Sequence, residues 1–167
     1  MNTEEAIKFL EKQIKDPKKG LPQEIFYFAS RIVPMINVDL LIKNKKGQTL
    51  LAWRDDNFYN QGWHIPGGII RFKETAEQRI QKVAIQEIGA KVKFEPQPIG
   101  IYQFFAKHET RGHFISLLYK CSVPDSFEPK NKNIKEKQAG YIKWHDSCPK
   151  DFLKVQSVYK KYINNKK

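Results

Sequence analysis

The hydrophobic positions of this chain fall into short apolar runs bounded by turn residues, which are typical of strands, and into segments with a helical period. The clearest turn signals are Lys45-Lys46-Gly47 and a reverse turn over residues 108–112. The pattern predicts strands over residues 35–43, 48–53, 92–95, 99–105, 113–123 and 141–144. It predicts helices over residues 3–15, 22–31, 76–88 and 151–164.

The segment IPGGIIRFKETAEQRIQKVAIQEIGA, residues 65–90, combines a glycine turn, a carboxylate and a capped helix. Thr75 is the expected N-cap, and Gln78 completes a capping box with it. Gly89 predicts a left-handed stop at the end of the helix. One face of this helix is a core stripe formed by Ile80, Ala84 and Ile88.

A second face of the same helix carries the candidate chemistry. If this face lies over Gly67 and Gly68, Glu87 can meet a metal that is held near the glycine carbonyls. Hard cations such as Mg²⁺ take oxygen ligands, usually one or two carboxylates together with waters and substrate phosphates. The alternative is an ordinary amphipathic helix whose glutamate is solvated. The residues on this face are Val83, Gln86 and Glu87.

Residues 65–90 resemble the Nudix box, the signature of hydrolases of nucleoside diphosphates linked to another moiety. Three positions depart from the box, since Lys82 stands for its arginine and Val83 and Gln86 stand for two of its glutamates. The positions that match the box in register are Gly68, Glu74, Ala84, Glu87, Gly89 and Ala90.

The resemblance spans about residues 35 to 145 and implies an α+β fold, an α/β/α sandwich in which a mixed β-sheet lies between helices. It divides the chain into two parts. Residues 1–33 are expected to form an N-terminal helical extension packed on the core, and residues 34–167 a Nudix-like domain with its box at 68–90.

A box that keeps only its last helix glutamate is similar to that of the GDP-mannose mannosyl hydrolases, which attack the sugar at its anomeric carbon and break a C–O bond. By this resemblance Mg²⁺, with Mn²⁺ as an alternative ion, would bind the Gly67 carbonyl, Glu87 and Gln138. Glu74 is a further candidate ligand, and Arg54 would stabilise the leaving diphosphate.

Four residues are candidates for contacts with the substrate. Asp39 lies in the middle of an apolar strand, where it either accepts a hydrogen bond from a substrate hydroxyl or is a buried aspartate satisfied by backbone or arginine. Lys82 either contacts substrate or holds the loop of the box through an internal ion pair. Arg71 lies in that loop, and Arg111 is a candidate for a terminal phosphate or a sugar carboxylate.

Two departures from the mannosyl hydrolase branch bear on the reaction. Ala139 stands where that branch has its general-base histidine, and Ile69 where it has an arginine. His113 is therefore the first candidate for a replacement base and His108 the second. The segments PMINVDLLI, WRDD and GWHIPGGIIRFKET more closely resemble a bacterial Nudix subgroup of unassigned substrate.

The function that these features imply is Mg²⁺-dependent hydrolysis of a nucleoside diphosphate linked to a sugar or similar moiety. Two alternatives remain open: a pyrophosphatase that breaks a P–O bond, and a catalytically silent domain that binds a nucleotide ligand. The first is weakened by the loss of two helix acids. The second is favoured by the lost acids and the absent histidine.

Composition limits the partners and the compartment. A net charge of +12 favours anionic partners, but solvated lysines explain most of it more simply than nucleic acid does, because no stripe of interleaved aromatics is present. No apolar run approaches a membrane span. Two cysteines without zinc-like spacing are expected to be reduced thiols of a cytoplasmic protein. Pairing of the N-terminal helices between subunits would give a homodimer.

Overall fold

A computed structural model of the chain describes residues 1–56, 59–105 and 112–164, which form two β-sheets flanked by helices. The helices are α1 (Thr3–Gln13), α2 (Gln23–Ile32), α3 (Ala76–Val83) and α4 (Lys160–Ile163). The strands are β1 (Met35–Ile42), β2 (Thr49–Asp56), β3 (Tyr59–His64), β4 (Gly67–Ile69), β5 (Lys93–Phe94), β6 (Gly100–Phe105), β7 (His113–Ser122) and β8 (Ile142–His145).

The larger sheet is mixed, as the sequence predicted. Its order is β4-β1-β7-β5, and β6 also pairs with β7. The central strands β1 and β7 are parallel, whereas β4, β5 and β6 run antiparallel to their partners. The smaller sheet is antiparallel in the order β3-β2-β8.

Strand β1 separates two hydrophobic clusters because its side chains alternate between the faces of the sheet. Val38, Leu40 and Ile42 pack in one cluster with residues of α3. Leu41 packs in the other cluster with Tyr159 of the C-terminal segment. The mixed sheet therefore lies between helical layers, which confirms the predicted fold class.

The helix of residues 75–89 begins and ends where the sequence predicted. The Thr75 hydroxyl accepts a hydrogen bond from Gln78 N at 3.2 Å, and the Gln78 side chain accepts one from Thr75 N at 3.1 Å. Gly89 has a φ of 71°, which is the left-handed stop. The last turn, Ala84–Ile88, widens into a π-helix, an insertion that is frequent at functional sites. The stripe predicted to be core is buried: Ile80, Ala84 and Ile88.

The double glycine was predicted as a turn, and this is wrong, because Gly67 and Gly68 begin strand β4 and pair with Asp39 and Val38 of β1. Glycine is needed here for close approach. A β-carbon on Gly67 would lie 2.1 Å from Asp39 Oδ1. Strand β3 was also missed by the sequence analysis.

The C-terminal segment was predicted as one helix from Asp151, and this is also wrong. The backbone of Trp63 accepts a hydrogen bond from Leu153 N at 2.9 Å and donates one to Asp151 O at 3.0 Å. Because these residues extend along β3, helix begins only at Lys154, as 3₁₀ turns over Lys154–Tyr159 that lead into α4. Three apolar side chains of this segment are nonetheless buried: Phe152, Tyr159 and Ile163.

The N-terminal extension packs less closely than the sequence analysis expected. Helix α1 has no buried residue, and Ser30 is the one buried residue of α2. Ile7 of α1 is 50% exposed, and Ile32 of α2 is 63% exposed. The division at residue 33 and the homodimer remain predictions. Within the described ranges, no helix combines the length and apolarity needed to cross a bilayer.

Candidate active site

A cleft of about 780 Å³ opens beside the end of the box helix. Glu87 and Gln86 of the π turn line it together with Gly67 at the start of β4, so the helix face that carries Glu87 does look toward the double glycine. The remaining walls come from β2 and from the loop after β7, represented by Trp53, Phe127 and Ile134. This volume lies in the usual range of small-molecule sites, about 300–1,000 Å³.

His64 and Glu87 meet in this cleft. His64 Nε2 lies 3.7 Å from Glu87 Oε2, and the side chains are 12% and 30% exposed. The other ring nitrogen, His64 Nδ1, is buried without a hydrogen-bond partner in the described part of the chain. The Glu87 carboxylate therefore keeps lone pairs that face the cleft and are free for a cation.

The carbonyl of Gly67 is directed away from β1. Leu40 N donates to Pro66 O at 2.8 Å, and Ile70 N donates to Ile36 O at 2.9 Å. In this antiparallel ladder the even-numbered residues of β1 therefore form the hydrogen-bonded pairs. Gly67 lies opposite Asp39 in a non-hydrogen-bonded pair, so its carbonyl does not bond to β1. Because β4 is an edge strand, the Gly67 carbonyl remains available beside the cleft.

Asp39 is buried beneath Gly67, with 3% exposure. Its Oδ2 accepts hydrogen bonds from Ser116 at 2.5 Å and Tyr159 at 2.6 Å, and its Oδ1 accepts one from the Asn37 amide at 3.1 Å. Burial raises the pKa of the Asp39 carboxyl against the lowering effect of these bonds. The partners that satisfy this aspartate are side chains, neither the backbone nor the arginine that the sequence analysis considered.

A second, smaller cavity of about 190 Å³ lies on the other side of Gly67. Asp39 and Arg71 line it, which brings two of the predicted substrate residues together. Three residues line both the cleft and this cavity, so the two spaces meet there: Arg54, His64 and Gly67.

Arg54 is held at this junction. Its Nε donates to Asp56 Oδ2 at 2.6 Å, and about a third of each side chain remains exposed. The register of β2 against β3 shifts between Arg54 and Asp56, which marks a β-bulge. Bulges re-aim side chains, so this one explains how an arginine of β2 turns toward the junction.

Glu74, the fourth candidate ligand, is committed to other partners. Its carboxylate lies 2.6 Å from Arg79 Nη2 and 2.8 Å from Lys82 Nζ, and it accepts a bond from Arg71 N at 2.9 Å. Burial opposes ionisation, but the bonds from Lys82, Arg71 and Arg79 outweigh it and lower the pKa of Glu74. Neither Glu74 nor Lys82 lines the cleft, so Lys82 takes its alternative role as an internal ion-pair partner.

The structure does not bring Gln138 to the other candidate ligands. Gln138 is exposed, and its side-chain oxygen accepts a hydrogen bond from Lys135 N at 2.8 Å. Its neighbours Ala139 and Gly140 line the cleft instead. A rearrangement of this loop would be needed before Gln138 could bind a metal beside Glu87.

His113 lies away from both cavities. It stacks on Phe105 at 4.6 Å between ring centroids, whereas its neighbour Phe114 lines the small cavity. Successive residues of a strand point to opposite faces, so His113 faces away from the site. The other two candidates of this region, His108 and Arg111, lie outside the described residues.

Sequence reasoning missed several residues of the site. His64 stands between two apolar residues that are buried, Trp63 and Ile65. A polar residue in this apolar stretch, just before a double glycine, was the sequence signal that could have identified it. Asn37 was missed because its contacts arise from the pairing of distant strands. Three further carboxylates line the cleft, and no sequence motif identified them as site residues: Asp55, Asp56 and Glu128.

Comparison with known proteins identifies the family. The family model of the NUDIX domain matches residues 33–156. The low-salt glycan biosynthesis protein Agl8 of Haloferax volcanii is 25% identical over 117 residues, which is 68% of this chain and 74% of that protein.

Two solved structures share the fold. A MutT NUDIX hydrolase from Burkholderia pseudomallei superposes with a TM-score of 0.60 at 17% identity, over 79% of this chain and 99% of that one. A UDP-X diphosphatase superposes with a TM-score of 0.55 at 16% identity, over 98% of this chain and 92% of that one. Because the family model covers most of the chain, and Glu87, Gly89 and Ala90 of the box line this cleft, the chain belongs to the NUDIX domain family, a family of hydrolases that act on nucleoside diphosphate substrates with divalent metal ions.

Proposed function

We propose that this chain is a Mg²⁺-dependent hydrolase of a nucleoside diphosphate linked to a sugar or a similar moiety. The observation that carries the proposal is the pair of unequal cavities that meet at Arg54, His64 and Gly67. A nucleoside fits the larger space and a sugar the smaller. The diphosphate that links them would then lie at the junction, beside Glu87.

The residues at the junction fit a hard divalent cation. Glu87 offers a carboxylate and Gly67 a carbonyl that β1 does not use. Within the described residues no group of three or more acidic, histidine or cysteine side chains is arranged to hold a metal ion, so these side chains would supply few ligands. That is the usual arrangement for Mg²⁺, which keeps waters and binds substrate phosphates. When bound, the ion would neutralise charge on the diphosphate.

Arg54 would share this task. Its guanidinium faces the junction from the bulge of β2, and arginine matches phosphate oxygens with a fork of donors. The loop between β4 and α3 would be held in place by the ion pairs of Glu74 with Arg79 and Lys82. These three residues would therefore support the site without contacting the substrate.

Cleavage of the C–O bond at the sugar is favoured because it requires no water activated at phosphorus. The cleft retains one helix glutamate of the three, and Val83 occupies a core position where an acid would stand. The residue at the expected position of the base, Ala139, cannot accept a proton. His64 lines the junction and Asp39 lines the small cavity beside it, so both are candidates for the base.

Cleavage of a P–O bond is the second candidate function. It is supported by the three further carboxylates of the cleft, Asp55, Asp56 and Glu128, which could compensate for the lost helix acids. The UDP-X diphosphatase that shares the fold is named for hydrolysis of a diphosphate, which is P–O cleavage, so the activity of that protein corresponds to this second candidate.

We also infer a reducing, cytoplasmic location. Both cysteines are free thiols, and burial raises the pKa of the Cys121 thiol to about 12, which keeps it protonated and unreactive.

The proposed function is tested by a product-resolved screen of the purified protein with Mg²⁺ and a panel of nucleoside diphosphate sugars in water enriched in heavy oxygen. Label in the released sugar would establish C–O cleavage, and label in phosphate would establish P–O cleavage. Absence of turnover across the panel, with Mg²⁺-dependent binding intact, would overturn the proposal of a nucleotide-sugar hydrolase.

A further inference from the structure

The small cavity contains one cationic donor that nothing in the described chain satisfies. Arg71 is half-buried and lines the cavity, yet its guanidinium makes no hydrogen bond or ion pair within the described residues. Glu74 is its nearest acidic neighbour in sequence, but that carboxylate is already shared between Arg79 and Lys82. Burial and the neighbouring Arg79 both lower the pKa of Arg71, so its surroundings favour the approach of an anion.

The same cavity contains an unsatisfied acceptor. Asn37 donates from its amide nitrogen to Asp39 at 3.1 Å and to Ser116 at 2.9 Å, and this fixes the orientation of its amide group. Its carbonyl oxygen Oδ1 is buried and has no hydrogen-bond partner in the part of the chain that is described. A buried acceptor of this kind favours a ligand that brings a hydroxyl donor.

Of the other polar residues of the cavity, Arg54 and His64 lie at the junction, where the proposed diphosphate binds, and Asp39 and Gln156 are already hydrogen-bonded. Asp39 accepts bonds from Ser116, Tyr159 and Asn37. The amide of Gln156 accepts from Ile65 N at 2.8 Å and donates to Ile65 O at 3.3 Å. The ligand is therefore recognised mainly through Arg71 and Asn37.

The apolar walls and the volume limit the size and shape of the ligand. About 190 Å³ is less than a typical whole-ligand site, so the cavity takes one moiety of a larger molecule. Aromatic and aliphatic side chains offer surfaces for the C–H face of a sugar ring. These side chains are Ile65, Ile69, Phe104, Phe114 and Val155.

We propose that this cavity binds an acidic sugar of the uronic acid class, with its carboxylate on Arg71 and a ring hydroxyl donating to Asn37. A neutral sugar would leave the guanidinium without an anion, and a planar carboxylate matches its forked donors. The assignment deepens the proposed function, on which it rests for the diphosphate that links this sugar to the nucleoside. The preferred substrate class is then a nucleoside diphosphate uronic acid.

Gly20 of the N-terminal extension packs against the guanidinium of Arg71. A β-carbon on Gly20 would lie 2.9 Å from Arg71 Nη1, so the backbone at this glycine covers one side of the guanidinium. Gly20 has a φ of 118°, a conformation that other residues rarely adopt. The extension therefore contacts Arg71, although its two helices bury little.

The inference is tested on the full chain with two sugar probes that differ at C6, methyl β-D-glucuronide and methyl β-D-glucoside. Binding is followed by NMR through the Arg71 side-chain N–H and the Asn37 amide. The glucuronide should bind at least about tenfold more tightly than the glucoside, because a charge-assisted paired hydrogen bond is lost with the carboxylate. Arg71→Gln should abolish this preference, Arg71→Lys should retain part of it, and the exposed control Arg31→Gln should leave it unchanged.

Equal binding of the two probes, no binding of either, or a preference that survives Arg71→Gln would overturn the inference. A separate turnover assay with Mg²⁺ compares UDP-glucuronic acid with UDP-glucose. The corresponding GDP-linked sugars are included so that guanine is tested as well as uracil. Glucuronide binding without turnover of any conjugate would overturn the proposed function alone. Equal turnover of acidic and neutral conjugates would overturn the acidic-sugar assignment alone.

Discussion

Val83 packs directly against Gly68, since a β-carbon on Gly68 would lie 2.7 Å from Val83 Cγ2. This contact docks α3 onto β4 and makes residue 83 part of the hydrophobic core. The position where the Nudix box has an acid is thus filled here by a buried methyl group. The departure from the box is therefore a structural feature of this chain and not a vacant ligand position.

Restoring the two lost acids one at a time should have very different effects on the free energy of unfolding. Val83→Glu should lower the free energy of unfolding by about 3 kcal/mol or more, because it places an unpaired charge in an apolar cluster. Gln86→Glu should change it by less than about 0.5 kcal/mol, because Gln86 is exposed at the rim of the cleft. Urea unfolding of both variants measures this difference. Equal stability of the two would contradict the burial of residue 83.

The carboxylate of Glu74 should stabilise the fold in a pH-dependent way. The pKa of Glu74 is lowered in the folded protein, so its contribution is present above the unfolded value of 4.5 and is lost as pH falls through the folded value. Glu74→Gln should therefore cost about 1–3 kcal/mol at pH 7, since the buried Arg79 loses a charged partner.

The pH dependence of Glu74→Gln is measured by denaturant unfolding at a series of pH values. The difference between wild type and variant should shrink as pH falls below 4.5, because the carboxyl of the unfolded chain takes up its proton there while the folded one stays ionised until its lower pKa is reached. Glu4→Gln, on the exposed face of α1, is the matched control and should show little difference at any pH. A constant difference across the range would mean that the charge of Glu74 is not what stabilises the loop.

Helix α1 should open more readily than α3. Local opening is governed by buried contacts, and α1 has no buried residue whereas α3 contributes Ile80 and Val83 to the core. Amide hydrogen exchange should give protection of α1 at least about tenfold weaker than that of α3. Comparable protection would imply contacts of the extension that the monomer lacks, as in a homodimer.

Arg54→Lys should reduce catalysis without unfolding the protein. Lysine keeps the charge but loses the fork that matches phosphate oxygens, so kcat/KM for the best substrate should fall by about 10²-fold. Lys130→Gln, at the rim of the same cleft, should cost less than about threefold if it acts only as a surface charge. Similar losses for both variants would indicate that Arg54 contributes only general positive potential.

The parts of the fold that follow local rules were predictable from the sequence. The capping box of Thr75 and Gln78 and the glycine stop at Gly89 depend on neighbours three to five residues away, so the sequence alone identified them. The parallel pairing of β1 with β7 brings together residues that lie far apart in the chain. For this reason the Asp39 and Ser116 contact could not be predicted, although Asp39 itself was identified as a candidate.

The other departures from the sequence analysis arise where tertiary contacts override a local signal. Gly67 and Gly68 have the composition of a turn, but they pair with β1 as a strand, and glycine is required there because Asp39 and Val83 leave no room for side chains. His113 looked suitable as a base, yet strand alternation directs it to Phe105 and away from the site. Strand register, which no single segment encodes, decided these outcomes.

The central claim is that Glu87 and Gly67 bind a divalent ion against a diphosphate at the junction of the two cavities. It is tested most directly by titrating UDP, GDP, ADP and pyrophosphate into wild type and Glu87→Gln by calorimetry, with and without Mg²⁺. At least one ligand should bind wild type about tenfold or more tightly with Mg²⁺, and Glu87→Gln should lose that gain while remaining folded. Affinity that is indifferent to Mg²⁺, or an equal gain in the Glu87→Gln protein, would contradict the account.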